Sequence, residues 1–367
     1  MWIWQQPLWP EFTWDPAPLA SLLRDTRFLQ GKLYGSSQVL NSTQTTLDTL
    51  LANILYSSDI EGERLHAGSV RSSLATHLGV DDEITYPVDK RTEGLVESAL
   101  DAINNLDEPL TEQRLLYWHS LLFPPEEKLF NAIKGGLFRT GPVQVISGRI
   151  DKPVVHFEGP DAMRVPGEME AFLRWFNTSR HDAQADPILR AGIAHLWFLT
   201  IHPFEDGNGR IGRLIMDLAL AQAEHNTVRL YAMSRTINTH RNDYYAVIEQ
   251  TQRGELDLTQ WLGWFVNMLK ASIEETLGLI DQTLFKTHYW QRFNQAALNH
   301  EQIKVINRML DGDFQDGINN SQYKAVARVS RATATRHLAH LVELGFLLPN
   351  EGGGRSTRYS LPGKSGI

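Results

Sequence analysis

Helical spacing runs through almost the whole chain, and that leaves few folds open to it. From Pro18 to about Tyr56 apolar residues fall three and four apart, with Leu50, Leu51, Ile54 and Leu55 closing one stripe. Further helices are expected around 92–105, 161–177, 187–201, 210–225 and 241–298. Pro187 suits a first helical turn. One stretch breaks the pattern. FRTGPVQVISGRIDKPVVHFEGP, residues 138–160, alternates β-formers with Gly and Pro and predicts a hairpin. It is almost the only strand signal in the first 300 residues. A mostly α fold is expected, and a lone hairpin in a helical domain more often serves a site than a core. At the start, Trp2, Trp4, Trp9 and Trp14 sit among prolines and predict an extended arm pinned to the body by aromatic burial.

Composition excludes several classes. The 367 residues include no cysteine, which rules out disulfides and thiolate metal sites and fits a reducing, cytoplasmic setting. The opening MWIWQQPLWPEF lacks the basic-then-apolar pattern of a secretory signal. No run is apolar enough to span a bilayer, so no membrane partner is expected. The net charge of −8 is uneven. From Ser321 onward seven basic residues face two acidic ones, so the tail carries +5 and residues 1–320 carry −13. An acidic body argues against wholesale coating of nucleic acid and leaves open a local contact through the tail.

The chemistry concentrates in HPFEDGNGRIGR, residues 202–213. Gly207, Asn208 and Gly209 end a loop where an amphipathic helix begins, with Ile211, Leu214, Ile215 and Leu218 as its buried stripe. Glycines there let backbone N–H groups approach an anion, and the helix N-terminus adds positive partial charge. Arg210 and Arg213 lie on one face of the first turn, a pattern sized for more than one phosphate. Asp206 is a hard oxygen ligand of the kind Mg²⁺ needs when it bridges phosphates. His202, with an ordinary pKa of about 6.5, suits a base working near neutrality. His195 and His202 could face the same way as zinc ligands, but no third ligand falls at a recognisable spacing. A simple anion-binding helix start would leave His202 and Asp206 without a task.

The stretch matches in full the motif of the Fic family, H-x-F-x-[DE]-G-N-G-R-x-x-R, with seven fixed positions and a restricted acid. The resemblance extends over roughly residues 110–270. It implies a helical Fic core in which His202 is the general base and Asp206 holds Mg²⁺, with ATP as co-substrate. Gly207, Asn208 and Gly209 would form the anion hole, Arg210 and Arg213 would hold the outer phosphates, and Ile211 and Gly212 complete the ATP-binding stretch. NDYY, 242–245, sits where the family places aromatic residues near the adenine. Tyr244 and Tyr245 are the candidates, with a core role for one of them open. The implied reaction is in-line attack by a Tyr, Thr or Ser hydroxyl of a protein, this one or another, on the α-phosphate of ATP. AMP is transferred and pyrophosphate leaves.

Alone, SSDIEG (57–62) reads as a helix end, with Gly62 as its stop. Beside the Fic resemblance it fits the inhibitory motif [ST]-x-x-x-E-[GN]. Glu61 would then pair with Arg213, and Ser57, one turn away, can steady the carboxylate. The 143–158 hairpin resembles the family's flap, which lends backbone hydrogen bonds to an extended target segment. Val155, His156 and Phe157 are the candidates for its inner edge.

Residues 321–361 predict a winged helix: a helix over about 321–327, a second capped by Ser330 with Leu338, Leu341 and Leu344 buried, then a hairpin with Arg355 and Arg358 near its tip. Thr333, Thr335 and Arg336 would face a groove if DNA binds, and protein contact or a homodimer is the alternative. The layout resembles a bacterial subfamily of Fic proteins. It implies an N-terminal domain over 1–105 with the inhibitory helix, a Fic catalytic domain over 106–280, and a helical linker with winged helix over 281–367. Two other functions stay open: a DNA-binding regulator using the core as a nucleotide sensor, and an enzyme that removes AMP.

Overall fold

A computed structural model describes residues 1–37, 42–81, 84–125, 133–149, 152–350 and 357–363. Five helices come first: α1 (Pro16–Ser37), α2 (Ser42–Ile60), α3 (Ala67–Leu78), α4 (Lys90–Asn104) and α5 (Glu112–Leu122). The expected hairpin follows as β1 (Gln144–Arg149) and β2 (Lys152–Glu158), antiparallel, with a register shift at Val145/Ile146. Then come α6 (Val165–Ser179), α7 (Pro187–Ile201), α8 (Asn208–Glu224), α9 (Met233–Thr239), α10 (Arg241–Gln252) and α11 (Thr259–Arg292). The chain ends with α12 (His300–Leu310), α13 (Asn320–Ala327), α14 (Arg331–Glu343), β3 (Leu348–Pro349) and β4 (Tyr359–Ser360). The fold is mostly α. Among the described residues no helix is long and apolar enough to cross a membrane.

Two compact units divide within α11, Met1–Thr276 and Leu277–Ile367. Residue 105 marks no boundary, because α2 packs on α9 and α4 packs on α8. The N-terminal helices therefore share one core with the helix that carries the motif. Its centre is α7, buried from Ile188 through Ile201, as a helix apolar on every side must be. Asp186 caps it by accepting from the amides of Ile188 and Leu189, and Pro187 occupies the first position as expected.

Close helix approach is set by small residues. A Cβ on Gly94 of α4 would lie 2.2 Å from the Leu121 carbonyl oxygen of α5. Gly94→Ala is expected to cost about 2 kcal/mol through overpacking, despite the roughly 1 kcal/mol by which alanine favours a helix. A chemical denaturation midpoint equal to wild type would contradict this contact.

The N-terminal arm docks through three of its tryptophans. Trp2 packs edge-on against Phe157 at 5.3 Å, the Trp4 indole donates to the Glu158 carbonyl at 2.8 Å, and the Trp9 indole donates to Glu168 at 2.8 Å. Trp14 departs from the expectation and is 38% exposed.

In the second unit, helix, turn, helix and a short strand pair follow in the expected order, with Ser330 capping α14 through the Thr333 amide. Leu338 and Leu341 are buried, but Leu344 is 40% exposed. The helix ends there, before Gly345 at φ 76°, and Phe346 and Leu347 fill the core instead. The Thr335 hydroxyl accepts from Asn320 and that of Thr333 pairs with Ser330, while Arg336 donates to Thr333 at 3.4 Å. Arg358 folds back to donate to the Gly317 carbonyl rather than projecting at a tip. Arg355 lies outside the described residues.

Candidate active site

The site begins where α7 stops. His202 is its C-cap residue, in the left-handed region at φ 51° and ψ 59°, a conformation that costs a non-glycine residue about 1–2 kcal/mol. That turn sets Nδ1 3.1 Å from the Leu199 carbonyl. A carbonyl only accepts, so Nδ1 carries the proton and Nε2 keeps its lone pair. Burial pulls the pKa down to about 4, against the hydrogen bond to Leu199, which raises it. The ring is thus neutral near pH 7 with a free basic nitrogen.

The loop after it is held by two residues that sequence reasoning did not single out. Arg139 is buried and donates to the carbonyls of His202 (2.7 Å), Gly141 (2.9 Å) and Pro160 (2.5 Å), while its own amide donates to Pro203. His119 stacks on Phe204, centroids 3.9 Å apart and 7° from parallel. Its Nδ1 accepts from the Gly136 amide at 2.9 Å, so its Nε2–H donates to the Asp206 carbonyl at 3.2 Å. Burial depresses its pKa to about 4, which keeps this tautomer neutral. The Asn208 side chain closes the loop with two bonds to the Phe204 backbone, at 3.0 and 2.8 Å.

Gly207 sits at φ 81° as the N-cap of α8, a conformation that favours glycine. Its amide donates to Asp206 Oδ1 at 2.6 Å. The next amides, of Asn208, Gly209 and Arg210, meet no acceptor among the described residues, as first-turn amides of a helix do. The amides left open on this turn are thus those of 208–210, one residue further along than the expected 207–209. Asp206 is 56% exposed at its side chain and keeps its second oxygen free of protein donors. Ile211 and Gly212 do not face these open amides. Ile211 is fully buried in the core, and a Cβ on Gly212 would meet His195 and Leu199 of α7 at 3.2–3.3 Å, so Gly212 serves the α7–α8 contact.

Glu61 and Arg213 meet across 152 residues of sequence. Arg213 is 1% exposed and its Nη2 donates to Glu61 Oε1 at 2.7 Å. Burial opposes the guanidinium charge, and Glu61 together with Tyr244 and Tyr245 outweighs that opposition and holds the pKa above its ordinary value. Ser57 behaves differently from expectation: its hydroxyl and carbonyl both accept from Arg213, each at 2.8 Å, so it grips the arginine rather than steadying the carboxylate. The helix end aims Glu61. Gly62, at φ 79°, closes a Schellman turn in which Glu63 N–H donates to Ser58 and Gly62 N–H to Asp59. The result is tight. A Cβ on Gly209 would lie 2.0 Å from Glu61 Oε1, so the carboxylate rests on the first turn of α8.

Arg210, 4% exposed, is paired as well, with Glu63 at 2.8 Å. Tyr245 donates to the Ile60 carbonyl at 3.0 Å and so touches the end of α2. Tyr244 takes the core role: it is 1% exposed and its hydroxyl pairs with His195 Nε2 at 2.8 Å. His195 is thereby a buried core histidine, and among the described residues no cluster of three metal-ligating side chains occurs.

The hairpin stands beside the site. Phe157 is 2% exposed, wedged between Trp2 and the His202 ring, 6.4 Å away between centroids. His156 pairs with Glu249 at 2.7 Å and Ser147 at 2.6 Å. The carbonyls of Val155 and His156 both accept from Arg253, at 2.7 and 3.4 Å. That edge, expected to be open, is capped by Arg253. The exposed apolar side chains of the hairpin are Val145 at 38% and Ile146 at 57% on β1 and Val154 at 52% on β2.

Residues 109–220, which contain all of 202–213, match the family model described as Fic/DOC family. This stretch is a Fic/DOC domain. Residues 2–80 match a second model, a domain of unknown function, DUF4172, which takes in Glu61. The chain is 27% identical over 240 residues to a protein adenylyltransferase Fic of Aedes aegypti, covering 63% of this chain and 42% of that one. It is 29% identical over 233 residues to the protein of the same name from Drosophila yakuba, covering 62% and 41%. It thus spans about two fifths of the length of these curated relatives. Among solved structures, a Fic family protein from Desulfovibrio desulfuricans G20 aligns over 98% of this chain and 99% of its own, at TM-score 0.56 and 21% identity. A Fic domain containing signaling protein from Bacteroides thetaiotaomicron VPI-5482 covers 70% and 95%, at TM-score 0.52 and 21% identity. At such identity the likeness speaks for the fold.

Proposed function

We propose that this protein is an autoinhibited adenylyltransferase that moves AMP from ATP to a Tyr, Thr or Ser hydroxyl of a protein, itself or another. One observation carries the reading: the free Nε2 of His202, the unfilled amides of 208–210 and two buried arginines converge on one loop and one helical turn. The name of the relatives, protein adenylyltransferase Fic, supports the same reaction.

Each residue then has a task. The α-phosphate lies against the amides of Asn208, Gly209 and Arg210, and Arg210 and Arg213 hold the outer phosphates. His202 Nε2 takes the proton of the target hydroxyl as its oxygen attacks the α-phosphorus. The bond from the α-phosphorus to the bridging oxygen breaks, and pyrophosphate carries away the electron pair. Preorganised donors stabilise the charge that develops on these oxygens and supply most of the acceleration. The exposed free oxygen of Asp206 fits Mg²⁺, which commonly takes one or two carboxylates and completes its shell with phosphates and water. Mg²⁺ bound there would neutralise phosphate charge. Glu61 opposes all of this by occupying Arg213 above the nest.

Because burial already holds His202 neutral, the transfer rate of a Glu61-free variant is expected to stay flat from about pH 6.5 to 8. It should fall only as pH drops toward a pKa of about 4, where Nε2 becomes protonated. A rate profile with its inflection near 6.5, the ordinary histidine value, would contradict the buried base. The reaction class is tested by mass spectrometry of the Glu61→Gly chain incubated with ATP, Mg²⁺ and a cell lysate. An adenylyl adduct on a hydroxyl residue is expected. Absence of any adduct, on the chain or in the lysate, would refute the reading.

A further inference from the structure

We propose that Arg91 is a further phosphate-binding residue: with Arg210 it forms a two-cation clamp for the terminal phosphate of the nucleotide, in which Glu63 is seated. The inference rests on ATP being the nucleotide, as proposed above. Arg91 stands in the first turn of α4, outside 202–213 and outside both matched stretches, 2–80 and 109–220.

A single oxygen defines the clamp. Glu63 Oε2 lies 2.8 Å from Arg210 Nη1 and 2.7 Å from Arg91 Nη2. Two guanidiniums converging on one oxygen is an arrangement that a phosphate oxygen reproduces directly, since both anions suit planar guanidinium donors. The cations also exceed the acceptors. Arg91 Nε and Arg210 Nε are both buried atoms without a hydrogen-bond partner among the described residues. A carboxylate presents two oxygens and a terminal phosphate three, so the phosphate can satisfy donors that Glu63 leaves idle. The Arg210 guanidinium lies over the Phe123 ring at 5.1 Å. Buried as it is, that arginine is braced in place.

Glu63 is built to leave. It follows Gly62 in the same turn that aims Glu61, so one turn delivers a carboxylate to each of the two motif arginines. Glu63 and Arg91 have side chains 21% and 40% exposed, so the acid can swing toward solvent while Arg91 remains at the rim. A latch for Glu63 alone would need only Arg210. A second guanidinium beside the first is repulsive, and an anion between them offsets it: burial first and Arg91 in smaller part lower the Arg210 pKa, while Glu63 raises it.

The test is nucleotide affinity of the full chain by calorimetry, with Mg²⁺, for ATP and for AMP, which lacks a terminal phosphate. Glu63→Gln is expected to tighten ATP about fivefold and leave AMP unchanged. Adding Arg91→Ala to Glu63→Gln should weaken ATP about tenfold, again sparing AMP, with Arg91→Lys restoring part of the loss. If Arg91 only tethers Glu63, its removal from the Glu63→Gln chain will leave ATP affinity unchanged, and the clamp is overturned while ATP binding stands. Equal weakening of ATP and AMP overturns it too, by revealing a structural role. A chain that binds ATP in no variant overturns both the clamp and the nucleotide reading.

Discussion

Replacing Glu61 with glycine is expected to raise AMP incorporation from ATP by about 10- to 100-fold over wild type. The estimate follows from what the substitution removes. A charged hydrogen bond is worth about 1.5–3 kcal/mol, and each 1.4 kcal/mol is tenfold. Because the Glu61 side chain is 32% exposed, solvent screening favours the lower half of that range. Two effects act together. The carboxylate leaves Arg213, and it also leaves the surface of Gly209, where it now stands 2.0 Å from where a Cβ would be. Arg213 stays placed, because the Ser57 hydroxyl and carbonyl still accept from it at 2.8 Å. Incorporation from ATP labelled at the α-phosphate, compared between wild type and variant, checks the effect. An unchanged rate would remove Glu61 from any inhibitory role.

In that released background, His202→Ala is expected to lower transfer by about a thousandfold, within the range that a positioned general base contributes. ATP affinity should hardly change, since the phosphate contacts come from 208–210 and the arginines. The geometry behind the loss is specific. The left-handed turn at 202, the Leu199 carbonyl on Nδ1 and the Arg139 grip on the His202 carbonyl all serve to present Nε2. Single-turnover transfer at saturating ATP separates this loss from a binding defect. A fall in affinity equal to the fall in rate would make His202 a binding residue instead.

What was legible in the sequence is what is local. Residues 202–213 are contiguous, so their spacing alone puts two arginines on one turn and a nest before them. The Gly62 stop and the Ser330 cap are likewise short-range signals of backbone chemistry. The lone hairpin stood out because its periodicity differs from everything around it. Long-range packing was not legible. His119 is one helical histidine among several in the sequence, and only the fold stacks it on Phe204 and under Asp206. Arg139 was read as part of a strand region, yet it anchors the loop through three carbonyls.

The misplacements have the same origin. Ser57 and Glu61 are neighbours on a helical wheel, but the turn at Gly62 swings Glu61 outward and leaves Arg213 between them. Inside the motif, Ile211 is buried in the core and Gly212 packs on α7, because a helix rotates about 100° per residue and cannot present every side to a ligand. The edge expected at Val155 and His156 is filled by Arg253, just past the end of α10 and almost 100 residues away. The partnership of Glu63 with Arg210 spans 147 residues, and neither it nor the nearer one with Arg91 left a trace in the motif itself.

The most direct test of AMP transfer under Glu61 control uses two labels. The Glu61→Gly chain is incubated with Mg²⁺ and ATP labelled at either the α- or the γ-phosphate, beside wild type and the Glu61→Gly, His202→Ala double variant. Label at the α-phosphate should enter protein in the single variant, barely in wild type and not in the double variant, and γ-label should enter none. Protein labelled from the γ-phosphate, or α-label equal in all three chains, would contradict it.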